Sequence, residues 1–251
     1  YDFRDDGLYD AEIDERILEV TLPENIQPMS LGYEVSADER FLAVSQDGVY
    51  DLEAKIKLFS IQGYWLRFSP DGHRIMVDGD GIYDLETGER LISILGTGAF
   101  SPNGQHVAVF GDGVYSLETF ERLFAITDRA DFSPDGRYLR VYGDGVYEIS
   151  TGERVIAISS SASGIFSPNS QLLAISEDGV YDLSTHERRF FITRPEDVPI
   201  PTAVEAFSSD SSLLVVLYDG VYDVETGEHR FRTTTGGASG FTPDGMVLVV
   251  S

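Results

Sequence analysis

The sequence predicts an all-β chain, a seven-bladed β-propeller of four-stranded antiparallel blades, and two interleaved repeats carry that reading. Asp-Gly-apolar-Tyr recurs seven times, from Asp6, Asp47, Asp80, Asp112, Asp144, Asp178 and Asp219. Aromatic-Ser-Pro-Asp-Gly, or a near variant, alternates with it from Val35, Phe68, Phe100, Phe132, Phe166, Phe207 and Phe241. From each of the first six starts to the next Asp-Gly the distance is 12 residues. Registered self-similarity over a whole chain marks a repeat architecture.

The stretch from Ala130 to Ser159 shows the elements in order. A short apolar approach ends at Phe132. Ser133-Pro134-Asp135-Gly136 reads as a turn, with Pro presetting φ and Gly supplying a positive-φ position. Tyr138 to Tyr142 is rich in β-formers, and Asp144-Gly145 suits a tight hairpin. Val146 to Ile149 makes a third strand, Thr151-Gly152-Glu153 a turn, and Val155 to Ile158 a fourth strand. No segment holds a helical period. Val146, Tyr147 and Ile149 leave little room for a solvated face, so each sheet is expected between two neighbours. Radial stacking of such sheets is a propeller, which keeps only short edges.

The ends predict how the ring shuts. The last unit stops after two strands, and the first begins where a third would start. The seventh blade is therefore expected to be split between about 1–22 and 241–251, within one domain covering 1–251, with Met246–Val250 paired to the strand containing Leu8–Tyr9. From Asp-Gly to the next repeat start the gap is 20 to 22 residues in five cases and 29 in two. The additions fall near Pro23–Leu31 and Pro195–Val204, and their prolines predict ordered surface loops.

Composition narrows the function classes. The net charge is −25, and four acidic template positions hold 24 of the 43 Asp and Glu residues. Much of the charge is thus turn chemistry. Only two lysines, Lys55 and Lys57, are present. The balance argues against nucleic acid, which needs a basic footprint, and against an anionic membrane surface. No cysteine is present, so neither a disulfide nor a cysteine zinc site is available. No apolar run is long enough to span a membrane, and no secretory signal is visible. The chain opens at Tyr1 rather than Met, and the expectation is one domain of a larger, cytoplasmic signalling or sensor protein.

The elements FSPDG, GVYDLETGE and the apolar strand that follows resemble WD-repeat propellers across the whole chain. Tyr-Asp stands where that family has Trp-Asp, with Tyr at Tyr9, Tyr50, Tyr83, Tyr115, Tyr147, Tyr181 and Tyr222. The family's Gly-His pair is missing, so its Asp-His-Ser-Trp hydrogen-bond network is not expected here. The resemblance implies a repeat protein that binds other proteins. The seven tyrosines are read as structural, each burying a ring between blades with its hydroxyl near a polar partner.

No catalytic constellation stands out. His73, His106, His186 and His229 fall on turns spread around the repeat, so neither a zinc site nor a Ser-His-Asp triad is expected. Asp78, Asp80 and Asp84 partly match a calcium loop, with Met76 where a further ligand belongs, and form a weak alternative. No cofactor is expected. Positions left free by the template hold Tyr64, Trp65, Arg67, Phe110, Arg129, Asp131, Tyr142 and Tyr218, on the face carrying the Asp-Gly hairpins. Trp, Tyr and Arg are enriched at interface hot spots. Trp65 is read either as a plug at a blade gap or as an interface residue. The expectation is a non-catalytic scaffold binding a protein or peptide. The alternative is an enzyme, or a binder of a small ligand or calcium, using a channel mouth.

Overall fold

The computed structural model describes residues 2–4, 7–9, 12, 14–20, 32–158, 163–193, 202–232, 239–242 and 247–249. The chain divides into two compact units, Tyr1–Thr127 and Asp128–Ser251. Among the described residues all regular structure is β, and none is a helix long and apolar enough to cross a membrane.

In the first unit, β1 (Asp2–Arg4), β2 (Gly7–Tyr9) and β3 (Arg16–Glu19) form a three-stranded sheet. Three four-stranded sheets follow. They are β4 (Tyr33–Val35) to β7 (Ile56–Ser60) through β5 (Phe41–Val44) and β6 (Gly48–Asp51); β8 (Leu66–Phe68) to β11 (Arg90–Ser93) through β9 (Arg74–Val77) and β10 (Gly81–Asp84); and β12 (Gly98–Phe100) to β15 (Arg122–Ala125) through β13 (His106–Val109) and β14 (Gly113–Ser116).

The second unit repeats the plan. Its sheets are β16 (Ala130–Phe132) to β19 (Glu153–Ala157) through β17 (Tyr138–Val141) and β18 (Gly145–Glu148); β20 (Gly164–Phe166) to β23 (Arg188–Phe191) through β21 (Leu172–Ile175) and β22 (Gly179–Asp182); and β24 (Val204–Phe207) to β27 (His229–Arg232) through β25 (Leu213–Val216) and β26 (Gly220–Asp223). β28 (Ser239–Phe241) and β29 (Val247–Val249) form a final pair. Every sheet is an antiparallel meander in chain order, the blade unit of a propeller.

In the four-stranded sheets no strand is more buried than the second. All four residues of β5 and of β21 are buried, so both faces are covered, as the two-sided apolar pattern requires. Each apolar cluster draws on two successive sheets. Phe41, Ala43 and Val49 pack with Phe68, Ile75 and Val77 in the first unit. Leu172, Ala174 and Val180 pack with Leu214, Val216 and Tyr222 in the second. A sheet cannot hide these faces alone, which makes stacking a condition of folding.

The expected pairing of Met246–Val250 with the Leu8–Tyr9 strand is not found among the described residues. β2 has both edges filled, by β1 (Asp2↔Tyr9, Phe3↔Leu8, Arg4↔Gly7) and by β3. β1 lies a short turn away in the chain, so it reaches that edge at far lower loop-closure entropy than a segment from the other end. β29 is paired with β28, while Met246 and Val250 lie outside the described residues. So do Asp6, Asp10, Pro23–Leu31 and most of Pro195–Val204.

The turns explain the repeat residue by residue. In the first turn the serine is buried: Ser69 Oγ donates to Asp71 Oδ1 at 2.5 Å and accepts from Arg74 N at 2.9 Å. Asp71 Oδ1 also accepts from His73 N at 3.1 Å. Gly72, Gly104 and Gly136 hold φ near +70°, as expected of the turn glycine.

The glycine of Asp-Gly has another reason than the one the hairpin predicts. The left-handed residue is the one before the aspartate: Gln46, Gly79, Gly111, Gly143, Glu177 and Tyr218. The following glycine opens the third strand, against a fourth-strand carbonyl. A Cβ on Gly145 would lie 2.2 Å from Ile156 O, and one on Gly179 2.4 Å from Phe190 O.

Candidate functional site

The repeat tyrosine and the Asp-Gly aspartate form one clamp with a cation that the sequence reading missed. In six repeats the tyrosine hydroxyl donates to the aspartate three residues earlier: Tyr50 to Asp47, Tyr83 to Asp80, Tyr115 to Asp112, Tyr147 to Asp144, Tyr181 to Asp178 and Tyr222 to Asp219. A side chain ten residues after the aspartate takes its other oxygen. Lys57, Arg90, Arg122, Arg154 and Arg188 fill that place, and His229 does so in the last. The signal was in the sequence as a column of basic residues seven positions after each tyrosine, Arg16 after Tyr9 included.

The same tyrosines sit at β-bulges. The register between third and fourth strands shifts between the apolar residue and the tyrosine in every sheet that has both, including Leu8/Tyr9. A bulge re-aims the following side chain. Tyr83 stacks on Phe59 and Tyr222 on Phe190, ring centroids 5.7 Å apart in both pairs, each Phe coming from the preceding sheet. Burial, then the bond to aspartate, pushes the Tyr83, Tyr147 and Tyr181 hydroxyls up to about 12, and those of Tyr50, Tyr115 and Tyr222 upward as well. The clamp is a structural device in all six repeats.

The eight rim candidates separate into two groups. In the first unit the chain between β7 and β8 is pinned through its backbone. Gln46 N donates to Gly63 O at 3.0 Å, Ser45 Oγ to Tyr64 O at 2.7 Å, and Asp78 N to Trp65 O at 3.0 Å. The backbone is held by two hairpins while the side chains point away. Tyr64 is 64% exposed and Trp65 is 73% exposed, so Trp65 is not a plug. Leu95, which the sequence reading did not select, is 96% exposed, beside Gly96, whose carbonyl accepts from Gly79 N at 3.0 Å.

Arg67 Nη1 donates to Gly98 O at 2.6 Å. Its charge reaches two half-buried carboxylates, Glu34 and Asp78. Burial raises both above the usual carboxylate range. Opposing it are the Phe68 amide and Arg67 at Glu34, and Thr97 and Arg67 at Asp78. Phe110 is half-buried, its N donating to Thr97 O at 2.9 Å. Tyr64, Trp65, Arg67, Asp78 and Phe110 thus share one end of adjacent sheets.

In the second unit Asp131 and Tyr142 meet a residue that the sequence reading passed over. Arg140 is 3% exposed, in a strand whose counterparts at that place are Ala43, Met76, Ala108, Ala174 and Val215. Its Nη2 donates to Asp131 Oδ2 at 2.6 Å, its guanidinium lies 4.2 Å from the Tyr142 ring centre, and Tyr142 Oη donates to the same Oδ2 at 2.9 Å. A lone Arg between apolar neighbours, in register with Asp131, was the available signal. Arg129 is exposed, and its carbonyl accepts from Tyr142 N at 3.0 Å. Tyr218 is half-buried at φ +62°, where three sister repeats have glycine.

Asp78, Asp80 and Asp84 are not brought together. Asp80 precedes β10 and Asp84 ends it, on the order of 13 Å apart at strand rise. Asp80 is taken by Tyr83 and Arg90, and Asp84 Oδ1 by the amides of Glu86 and Thr87. Among the described residues no three His, Cys, Asp or Glu side chains converge as a metal would require.

Three clefts of about 380, 460 and 490 Å³ lie at the opposite end, among the Ser-Pro-Asp-Gly and Thr-Gly-Glu turns of successive sheets. Arg40, Asp71 and Glu86 line the first, Arg74, Gln105 and Glu118 the second, Arg137, Gln171 and Arg189 the third. They recur at one repeat position and are lined by template turns, so they are the seams of stacked sheets. No family model matches the chain, and no curated protein matches it.

Proposed function

We propose that this chain is a non-catalytic, WD-repeat-like propeller module that recognises a protein or peptide at the hairpin end of its first unit, around Tyr64 and Trp65. One observation carries the reading: two neighbouring aromatic side chains stand in solvent on a backbone held by hydrogen bonds to both flanking hairpins. A pinned backbone keeps the ordering cost of binding low, and exposed aromatics are the usual anchors of an interface. The Tyr–Asp–cation clamp serves the blades where the WD-repeat family uses its Asp-His-Ser-Trp network. The test is an array of immobilised random-sequence peptides probed with the wild-type chain and with a Tyr64→Ala, Trp65→Ala double variant. Peptides that hold the wild type are expected to lose the variant by about 10-fold or more, at an unchanged melting temperature. Equal binding of both proteins by every such peptide would overturn the reading.

A further inference from the structure

Resting on that reading, we infer the chemistry of the occupant: the Tyr64–Trp65 face takes a lysine- or arginine-bearing segment, with the cation over the aromatic rings and beside the carboxylates of Asp78 and Glu34. Four observations converge on it. The rings of Tyr64 and Trp65 are exposed, as a cation needs if it is to reach a π face. Asp78 adjoins Trp65 through the 3.0 Å bond from its amide to the Trp65 carbonyl. Glu34 Oε1 accepts from Phe68 N at 3.3 Å, next to Arg67. Among the described residues Arg67 is the cation that acts on both carboxylates, so these three groups carry two negative charges against one positive. At longer range, a net charge of −25 draws cationic segments toward the chain and repels acidic ones.

The two carboxylates add a signature that general attraction lacks. Burial raises both, so each takes up a proton before an exposed carboxylate does as pH falls. An incoming cation favours their ionised forms. Binding is therefore strongest above that range and weakens as pH falls through it, while most surface carboxylates are still charged.

Trp65 is the only tryptophan in the chain, so emission excited at the red edge, beyond tyrosine absorption, reports on this face alone. The experiment titrates octalysine, and separately octaglutamate, into the full chain while following that emission, with anisotropy of labelled octalysine as a second readout. Octalysine is expected to change the emission saturably and octaglutamate to leave it unchanged. The Tyr64→Ala, Trp65→Ala variant is expected to bind labelled octalysine about 10-fold more weakly, and Glu34→Gln with Asp78→Asn about 5-fold more weakly and with a flatter pH profile. Both variants change partly exposed side chains, and a melting curve shows that each is folded. Unchanged octalysine affinity in the aromatic variant would assign binding to surface charge in general and sink the inference. If octalysine leaves the emission flat while array peptides without Lys or Arg still need Tyr64 and Trp65, the inference falls and the recognition reading stands. If neither set needs these aromatics, both fall.

Discussion

Two clusters at the hairpin end of the sheets, one in each unit, have opposite fates. In the first unit Tyr64 and Trp65 turn outward from a pinned backbone, and Arg67 caps a carbonyl. In the second unit Arg140 Nη2 and Tyr142 Oη both donate to Asp131 Oδ2, and Arg140 is closed off from solvent with its Nε unpartnered. The residue types are alike: aromatic, arginine, carboxylate. Arg140 stands on the second strand where the first unit's sheets have Ala43, Met76 and Ala108, and it gathers Asp131 and Tyr142 inward. Residue type alone therefore does not predict exposure; the neighbours on adjacent strands do.

The largest expected effect tests what the two regions share. The clamp tyrosines hold their protons in the folded chain, with Tyr83, Tyr147 and Tyr181 at about 12 against 10.0 for a free tyrosine. A raised pKa means that the folded state binds the proton more tightly, so this stability is complete below pH 10 and is lost as pH climbs toward 12. Tyrosinate absorbance and unfolding are expected to rise together, cooperatively, in that window. Gradual ionisation of a folded chain from pH 10 upward would break the clamp account.

Next comes Tyr222→Ala, which empties a stacked site and leaves the buried Asp219 with His229 alone; it is expected to cost about 4 kcal/mol in urea denaturation. Tyr222→Phe keeps the ring and loses the bond to a carboxylate, for about 2 kcal/mol. Arg140→Ala is expected to cost about 3 kcal/mol, because a buried cation with its packing is removed. Trp65→Ala sits at the other extreme, within about 0.5 kcal/mol of wild type. The contrast between the last two is the sharpest check of the comparison. A Trp65→Ala variant as damaged as Arg140→Ala would mean that both clusters are structural.

Much of the blade was legible before the structure, for a local reason. Turn residues act within a few positions, so Ser69-Pro70-Asp71-Gly72 announces its own geometry, and Ser69 is indeed buried between Asp71 and Arg74. The tyrosines were read as buried rings with a polar partner; six of them donate to an aspartate, but Tyr83, Tyr115 and Tyr147 are only half-buried. The eight rim positions could be placed at the hairpin end, since antiparallel meanders alternate their ends. Their exposure could not, because it depends on partners far away in sequence.

The segment at the edge of β2 was hidden for the same reason. A seven-repeat count says that two half-blades remain, but it does not say which segment takes the free edge of β2. Asp2–Arg4 takes it from next door in the chain. Read alone, the residues determined the all-β class, the four-strand meander and its turns, since period and turn chemistry are encoded over a few neighbours. Only packing decided why the Asp-Gly glycine is needed, and that Arg140 is enclosed while Trp65 meets water. Those outcomes turn on contacts between strands and sheets, and such contacts have no local spelling.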